Sequence, residues 1–326
     1  MAYLSRYSFS IAIALTALVA AAFPKPAVAQ SSDYPNRKIT FIVGFAPGGG
    51  IDVLARIMAE GLAEQFGYQI VVENRPGSAS NIAAQIVATS APDGYTFLVT
   101  GNSFAINQTM SKDLTYSVDQ LRPVSFPARD SHALAVNADS SAHTLAEFIT
   151  LARQKPVSVA VGGSSSHIVA DYVLKVMAKT DAAAVPFQSG MPAMNALLGH
   201  QVDIEAGPVS EAFAQLKSGK VRALAVSGPK RALALPDVPT LTESGFPGLE
   251  ISGWTGFLAP AKTPTEICAK LNNAINALVE NPNFNERLRN LGFEPATTPF
   301  GETDAFLKDS IDTWRRMILA TGLASE

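Results

Sequence analysis

Short apolar runs alternate with helical patterns along most of this chain. Runs of strand length occur at 39–43, 69–72, 96–99, 157–161, 183–185 and 202–204. Apolar residues at helical spacing occur at 54–66, 81–88, 168–177, 193–198 and 209–216. A strand followed by a helix, repeated in this way, is typical of parallel sheets with helices on both faces. The pattern therefore predicts an α/β fold.

The first residues have the pattern of an export signal. Arg6 gives a positive start, an apolar run follows at 11–23, and Ala27-Val28-Ala29 supplies a small-x-small cleavage site. The apolar run is too short to span a membrane, which takes about 20 residues. We therefore expect residues 1–29 to be a signal peptide and the mature chain to begin at Gln30 in the periplasm. A cytosolic protein with a disordered N-terminus is the alternative.

Composition excludes several classes of protein and site. The net charge of −3 gives no basic surface for nucleic acid. Cys268 is the single cysteine, which excludes an intrachain disulfide and a cysteine-based metal cluster. The four histidines have no metal-ligand spacing; they are His132, His143, His167 and His200. No cofactor or metal is expected.

Four turns rich in glycine and small hydroxyl residues lie between a predicted strand and a predicted helix. They span 46–50, 76–80, 162–166 and 188–190. In an open parallel sheet such turns lie at the carboxyl ends of the strands, where ligands bind. Helix N-termini there offer unpaired N–H donors and a partial positive charge. The turns are therefore suited to holding a carboxylate without lysine or arginine. Alternatively, glycine and serine only form tight turns and N-caps.

Sequence motifs of common α/β enzymes are missing. The first turn lacks the Lys-Ser/Thr of a phosphate-binding loop, and its glycines are consecutive rather than spaced as G-x-G-x-x-G. The segment 101–105 fails the G-x-S-x-G pattern of a nucleophile elbow at its last position. His167, just after the serine turn, is the one histidine that could act with a serine as a reactive pair, although a local packing role is the alternative.

Several segments resemble one family of receptors. They are Tyr34-Pro35 with Ile39, then 44–52 with Ala55-Arg56, 72–77, Asn81-Ile82, 91–96, Gly199 with 201–203, 219–226 and 235–240. These segments, in this order, resemble the Bug receptors, which are the extracytoplasmic binding proteins of tripartite tricarboxylate transporters. The resemblance covers essentially the whole mature chain.

The resemblance implies a two-lobed periplasmic binding protein fold, with a mostly parallel sheet flanked by helices in each lobe. It implies that 30–128 and 230–326 form one lobe, that 129–229 form the other, and that the ligand binds in the interlobe cleft. Backbone amides, hydroxyls and ordered water would hold the ligand carboxylate. The residues that it places at the site are Phe45, Pro47, Gly48, Gly49, Ile51, Asn81, Asn102, Ser103, Ser164, Ser165, His167, Phe187, Ser189, Gly190 and Gly207.

Two departures from the family pattern bear on the ligand. The family usually has Tyr-Lys/Arg-Gly where this chain has Phe187-Gln188-Ser189. It usually has an aspartate near Gly207, where this chain reads Glu205-Ala206-Gly207-Pro208. An aspartate suits an amino or hydroxyl donor on a ligand. Its absence here disfavours an amino-acid ligand and favours a bulkier or more apolar acid.

The sequence therefore predicts a periplasmic solute-binding receptor rather than an enzyme. Its ligand is expected to be a small carboxylate, either a dicarboxylate or an aromatic acid. Its partners are expected to be the integral membrane subunits of a transporter, and the receptor itself a monomer. A ligand sensor for a signalling partner and an α/β hydrolase-like enzyme are the alternatives. The identity of the acid stays open.

Overall fold

The computed structural model describes residues 34–247 and 250–324. The predicted signal peptide lies outside the described residues. Within them, no helix is both long enough and apolar enough to cross a membrane.

Strands and helices alternate through most of the described chain, as the apolar pattern predicts. The strands are β1 (Ile39–Val43), β2 (Ile70–Asn74), β3 (Thr96–Gly101), β4 (Leu121–Asn137), β5 (Val157–Val161), β6 (Ala182–Pro186), β7 (Ile204–Pro208), β8 (Val221–Val226), β9 (Ser252–Pro260) and β10 (Glu294–Pro295). The helices are α1 (Gly50–Phe66), α2 (Asn81–Ala88), α3 (Asn102–Met110), α4 (Leu145–Ala152), α5 (Ser164–Asp171), α6 (Gly190–Leu198), α7 (Val209–Lys217), α8 (Thr265–Glu280), α9 (Pro282–Arg289) and α10 (Thr303–Thr321). Helix α5 continues as a π-helical segment over Tyr172–Met177.

The strands form one hydrogen-bonded sheet with parallel pairs toward both ends. Its order is β2-β1-β3-β9-β4-β7-β5-β6, with β8 and β10 also paired to β4. Strand β1 pairs in parallel with β2 and β3, and β5 pairs in parallel with β6 and β7. The strands between these groups are antiparallel. The fold is therefore of the α/β class, as predicted.

Strand β4 joins the two parallel groups. Residues Leu121–Ser131 pair with β9, whereas the residues from His132 onward pair with β7 and β8. Register shifts occur against β9 between Pro123 and Ser125 and again between Ser125 and Ala128. Such irregularities bend a strand and increase its twist. One continuous strand therefore supports both halves of the sheet.

The sequence pattern predicted most of the helices and strands but not the central strands β4 and β9. Strands β1 and β5 and helix α2 have the predicted bounds, whereas β7 begins at Ile204, where the predicted strand ends. Strand β4 was not predicted because Pro123 and Pro127 interrupt its apolar pattern, and proline is rare inside central strands. Strand β9 was not predicted because Gly253 and Gly256 lie within it. These strands are defined by long-range pairing.

Aromatic side chains fill the core around β9 and β4. Phe41 meets Phe257 edge to face, with ring centroids 4.9 Å apart. Phe126 meets Trp254 in the same way at 5.0 Å. Gly256 leaves room for the Phe126 ring, which would lie 2.7 Å from a Cβ at that position. The glycines that weaken the strand signal in the sequence are therefore required by the packing.

The division of the chain into two lobes stays a prediction. The described residues from Pro35 onward form one compact unit. The predicted boundary at 128/129 falls within β4, close to the point where that strand changes partners.

A buried amide links α8 to β4, and its removal provides a test of the packing. The Asn272 side chain donates to the Val124 carbonyl at 2.8 Å and to the Thr298 carbonyl at 2.9 Å. We expect Asn272→Leu to lower the free energy of unfolding by about 1–3 kcal/mol, because the buried Val124 carbonyl loses this donor and Asn276 loses its acceptor on Asn272. Asn273→Leu, at an exposed position of the same helix, should change it by less than about 0.5 kcal/mol. Urea unfolding measures both, and equal losses would contradict this assignment.

Candidate functional site

The turn between β1 and α1 is held by polar side chains. The Gly48 N–H donates to the Asp52 carboxylate at 2.8 Å. The Asn74 side chain donates to Asp52 at 2.7 Å and to the Phe45 carbonyl at 3.0 Å. Gly48 has a φ of 86°, which favours glycine. Because Asp52 takes the Gly48 N–H, the donors left to a ligand are those at the start of α1.

Turns from different strands meet at the start of α7. A Cβ at Gly50 would lie 3.4 Å from Ser210 Oγ and 4.0 Å from Glu211 Cγ. A Cβ at Gly190 would overlap Glu211 Oε2, only 1.7 Å away. A Cβ at Gly162 would lie 2.4 Å from the Gly190 nitrogen. The turns after β1, β5, β6 and β7 therefore converge, with glycine at each close approach.

The turn after β3 lies beside the first turn. A Cβ at Gly101 would lie 2.9 Å from Ile51 Cδ1. The Asn102 side-chain oxygen accepts from the Trp254 N–H at 3.1 Å. The Ser103 hydroxyl is buried and has no hydrogen-bond partner within the described residues. An unpaired buried hydroxyl is costly, so Ser103 is a candidate ligand donor, whereas the Asn102 oxygen is already used.

The serine turn before α5 is connected to β4 by a histidine that the sequence did not single out. His132 Nε2 lies 3.0 Å from Ser165 Oγ. The His132 ring is 2% exposed, and its Nδ1 has no hydrogen-bond partner within the described chain. Burial lowers the pKa of His132 to about 4, so the ring is neutral at physiological pH.

The neutral ring sets the direction of the bond to Ser165. Only one nitrogen of a neutral imidazole carries hydrogen. Orphaned buried N–H donors are rarer than unsatisfied acceptors, so we assign the hydrogen to Nε2 rather than to the unpartnered Nδ1. The His132 ring then donates to Ser165 Oγ, and the Ser165 hydroxyl proton is free to point to a ligand. The start of α5 has no side-chain capping bond, so capping does not account for Ser165.

Two predicted site residues use their polar atoms in local networks. His167 Nε2 lies 3.4 Å from the Asp171 carboxylate one turn along α5. The Asn81 side-chain oxygen accepts from Asn107 at 2.8 Å and from the Tyr116 hydroxyl at 3.1 Å. Through these contacts, His167 and Asn81 support the elements beside the turns.

The remaining predicted residues lie at or beside the converging turns. Pro47 and Ser189 are exposed, whereas Gly49, Ser164 and Phe187 are partly exposed. Phe187 packs beside the apolar cluster around Ala160 and Ala193.

Four acidic side chains next to the converging turns were not predicted from the sequence. Glu205 is buried, whereas Asp130, Glu211 and Glu294 are partly exposed. Burial raises the pKa of Asp130 to about 8, and the charges of Glu211 and Glu294 act in the same direction. Burial, and then the charge of Glu211, raises the pKa of Glu205 well above its ordinary value. Asp130 lies in the unpredicted β4, and Glu205 lies beyond the strand predicted at 202–204, so no local signal marked them.

A groove elsewhere on the surface does not belong to this site. It has a volume of about 490 Å³ and is lined by Ile57, Asn283, Arg287 and Leu291 among others, none of which lies in the converging turns. No group of three or more His, Cys, Asp or Glu in the described part of the chain is arranged to hold a metal ion.

Comparison with known proteins identifies relatives along nearly the full length. Residues 54–323 match the family model described as "Tripartite tricarboxylate transporter family receptor". Protein BugT of Bordetella pertussis is 31% identical over 302 residues, which cover 90% of this chain and 92% of BugT.

Solved structures share the fold as well. An R. palustris protein with adipate has a TM-score of 0.83 and 31% identity, covering 90% of this chain and 99% of that chain. MatC from Rhodopseudomonas palustris with bound malate has a TM-score of 0.75 and 30% identity, covering 87% of this chain and all of that chain, at 100%.

The buried neutral His132 predicts a specific dependence of stability on pH. The unfolded chain protonates this ring as the pH falls through 6.5, whereas the folded chain protonates it only near 4. Its contribution is therefore full above pH 6.5 and is lost as the pH falls toward 4, by up to roughly 3 kcal/mol. We expect His132→Gln to lose less unfolding free energy than wild type over this range, measured by urea unfolding at several pH values. His143→Gln, at an exposed position, should follow the wild type. A plot of unfolding free energy against pH that runs parallel for His132→Gln and wild type would contradict the assignment.

Proposed function

Because this chain belongs to the receptors of the tripartite tricarboxylate transporter family, we propose that it binds a small organic carboxylate in the periplasm. It delivers this ligand to integral membrane subunits of a transporter. The receptor acts as a monomer, and a dicarboxylate or an aromatic acid is its ligand class. The similarity to structures with adipate and malate supports this proposal.

The observation that carries the proposal is the Ser165 hydroxyl at the start of α5. The neutral His132 ring holds Ser165 Oγ at 3.0 Å, which leaves its proton for an acceptor. The N-terminus of α5 adds unpaired N–H groups and a partial positive charge. The turn 162–166 holds no lysine or arginine. A carboxylate accepts from all of these donors, so it is the ligand group that fits best.

The proposed ligand contacts follow from the geometry of the turns. The donors are the N–H groups at the start of α1, the Ser103 hydroxyl, and the Ser164 and Ser165 hydroxyls. Gly190 and Gly207 give space rather than donors. Asn81 and His167 support the turns through their local bonds. The ligand lies between the two proposed lobes, 30–128 with 230–326 and 129–229.

An enzymatic function is disfavoured by the same contacts. A Ser-His-Asp hydrolase needs a carboxylate on the second nitrogen of the histidine, but His132 Nδ1 has no partner within the described chain. His167 is paired with Asp171 rather than with a serine. A signalling receptor would use the same site, and no observation favours it over transport.

A thermal-shift screen tests the proposed function. The mature chain is mixed with aliphatic and aromatic mono- and dicarboxylates, and with the primary amide of each as a matched control. A ligand at 100 times its Kd should add about 2.7 kcal/mol of stability, which is a clear rise in Tm. The amides should give no rise because they lack the negative charge. A panel in which no carboxylate raises the Tm would refute the proposal, and chemical change of a bound acid would indicate an enzyme.

Ser165→Ala tests how the carboxylate is held. A hydrogen bond to a charged group contributes roughly 1.5–3 kcal/mol, so we expect the Kd to rise about 10- to 100-fold. The Kd is measured by calorimetry with the best acid from the screen, well below the Tm of the variant. The fold is checked by circular dichroism.

Ser166→Ala is the matched control in the same turn. The Ser166 side chain is 2% exposed, so its loss should affect stability more than affinity. If Ser165→Ala loses stability but binds with an unchanged Kd, its hydroxyl supports the turn and the carboxylate lies elsewhere.

A further inference from the structure

The start of α7 is joined to β4 by two hydrogen bonds between Ser210 and Asp130. The Ser210 N–H donates to Asp130 Oδ1 at 3.2 Å, and the Ser210 hydroxyl donates to Asp130 Oδ2 at 2.5 Å. Both residues are partly exposed. As long as Asp130 accepts the hydroxyl hydrogen, Ser210 cannot donate that hydrogen to a ligand.

Ser210 lies beside the proposed ligand donors. Its Oγ is 3.4 Å from the position that a Cβ would have at Gly50, the first residue of α1. The N–H groups at the start of α1 are among the proposed donors to the carboxylate. A carboxylate bound there lies next to the Ser210 hydroxyl, with the Asp130 carboxyl directly behind it.

No cation neutralises the Asp130 carboxyl. None of the ion pairs within the described chain includes it. The charges that act on Asp130 are those of Glu211 on α7 and Glu294 on β10, which have the same sign. Arg129, the next residue of β4, acts on Glu294 instead, and its guanidinium lies over the Phe306 ring at 4.1 Å.

The other titratable groups around β4 do not supply the missing positive charge. His132 is neutral, and Glu205 on β7 adds another acid, on which the charge of Glu211 acts. The remaining charged groups nearby are exposed or paired: Asp52 with Arg56, Asp171 with His167 and Lys175, Arg231 with Glu243, and the exposed Lys230. A ligand carboxylate beside an ionised Asp130 would therefore be repelled.

Protonation of Asp130 removes this repulsion and reverses one hydrogen bond. An ionised carboxyl only accepts, whereas a protonated carboxyl carries an O–H that donates. The Asp130 O–H then donates to Ser210 Oγ, and the Ser210 hydroxyl hydrogen is released toward the start of α1. The arrangement is similar to that of His132 and Ser165, in which a neutral donor behind a serine directs the serine hydrogen to the ligand.

We propose that the ligand carboxylate binds to the form of the receptor in which Asp130 holds a proton, and that the Ser210 hydroxyl then donates to this carboxylate. This inference rests on the proposed function and adds Ser210 to its donors. Burial raises the pKa of Asp130 to about 8, so the free protein holds this proton at neutral pH. A bound anion raises the pKa of Asp130 further. Affinity is therefore full at neutral pH and falls as the pH rises above about 8, where binding must take up a proton from water.

Calorimetry across pH tests this inference. The probe is the carboxylic acid that gives the largest rise in Tm in the screen, chosen among acids that are fully ionised above about pH 6.5. We expect the wild-type Kd to stay nearly constant up to about pH 7 and to rise above about pH 8, by up to roughly 10-fold per pH unit. At about pH 8.5, buffers of different ionisation enthalpy should report uptake of roughly 0.5–1 proton per ligand bound.

Two variants connect the pH dependence to the residues. Asp130→Asn imitates the protonated carboxyl, because its amide is uncharged and donates to Ser210 Oγ. Its Kd should vary little with pH and, at about pH 9, should be about 10-fold lower than that of the wild type. Ser210→Ala should raise the Kd about 10-fold or more at about pH 6.5. Asp309→Asn, at an exposed position, is the control and should keep the wild-type dependence.

The outcomes separate this inference from the proposed function. A wild-type Kd that does not change with pH, without proton uptake, would overturn the inference and leave the carboxylate receptor intact. Wild-type pH dependence in Asp130→Asn would do the same. If Asp130→Asn does not fold, the wild-type proton count and Ser210→Ala decide, and an unchanged Kd in a folded Ser210→Ala overturns the inference. Failure of every acid in the screen would overturn both.

Discussion

The two halves of the sheet are joined where β4 changes its partner strands. A single strand pairs with β9 up to Ser131 and with β7 and β8 from His132 onward. The two parallel groups of strands are therefore joined through continuous backbone rather than only through side-chain contacts. The site residues on β4, Asp130 and His132, lie on either side of this change. Their positions relative to both groups of turns are set by sheet hydrogen bonds.

The site combines helix N-termini with acidic side chains. Unpaired N–H groups and the Ser165 hydroxyl favour an anion. Burial raises the pKa of Glu205 and of Glu211, which favours the uncharged form of each carboxyl. An uncharged carboxyl does not repel a bound carboxylate, so the acids and the donors are compatible in one site.

Burial gives the polar groups at the site their chemical character. His132 is neutral because its ring is removed from water, and the neutral ring holds Ser165 as a hydrogen-bond donor. In the turn after β1, the donors are arranged by Asp52 and Asn74, whose bonds are complete within the described chain. Preorganised donors bind a ligand with little loss of entropy. Because these groups are buried in the fold, a change in any of them affects the stability of the protein as well as the site.

Local sequence patterns were enough to specify the α/β class, the parallel strands β1 and β5, and three of the turns that converge. These features follow from local periodicity and from glycine at turns, which neighbouring residues are enough to specify. The sequence also indicated Ser165 and its neighbours, because a serine turn before a helix is a local pattern. The positions of β4 and β9, and the surroundings of His132 and Glu205, depend instead on tertiary contacts. Proline and glycine mask the two strands, and the chemistry of both side chains comes from burial between strands distant in sequence, which no local pattern records.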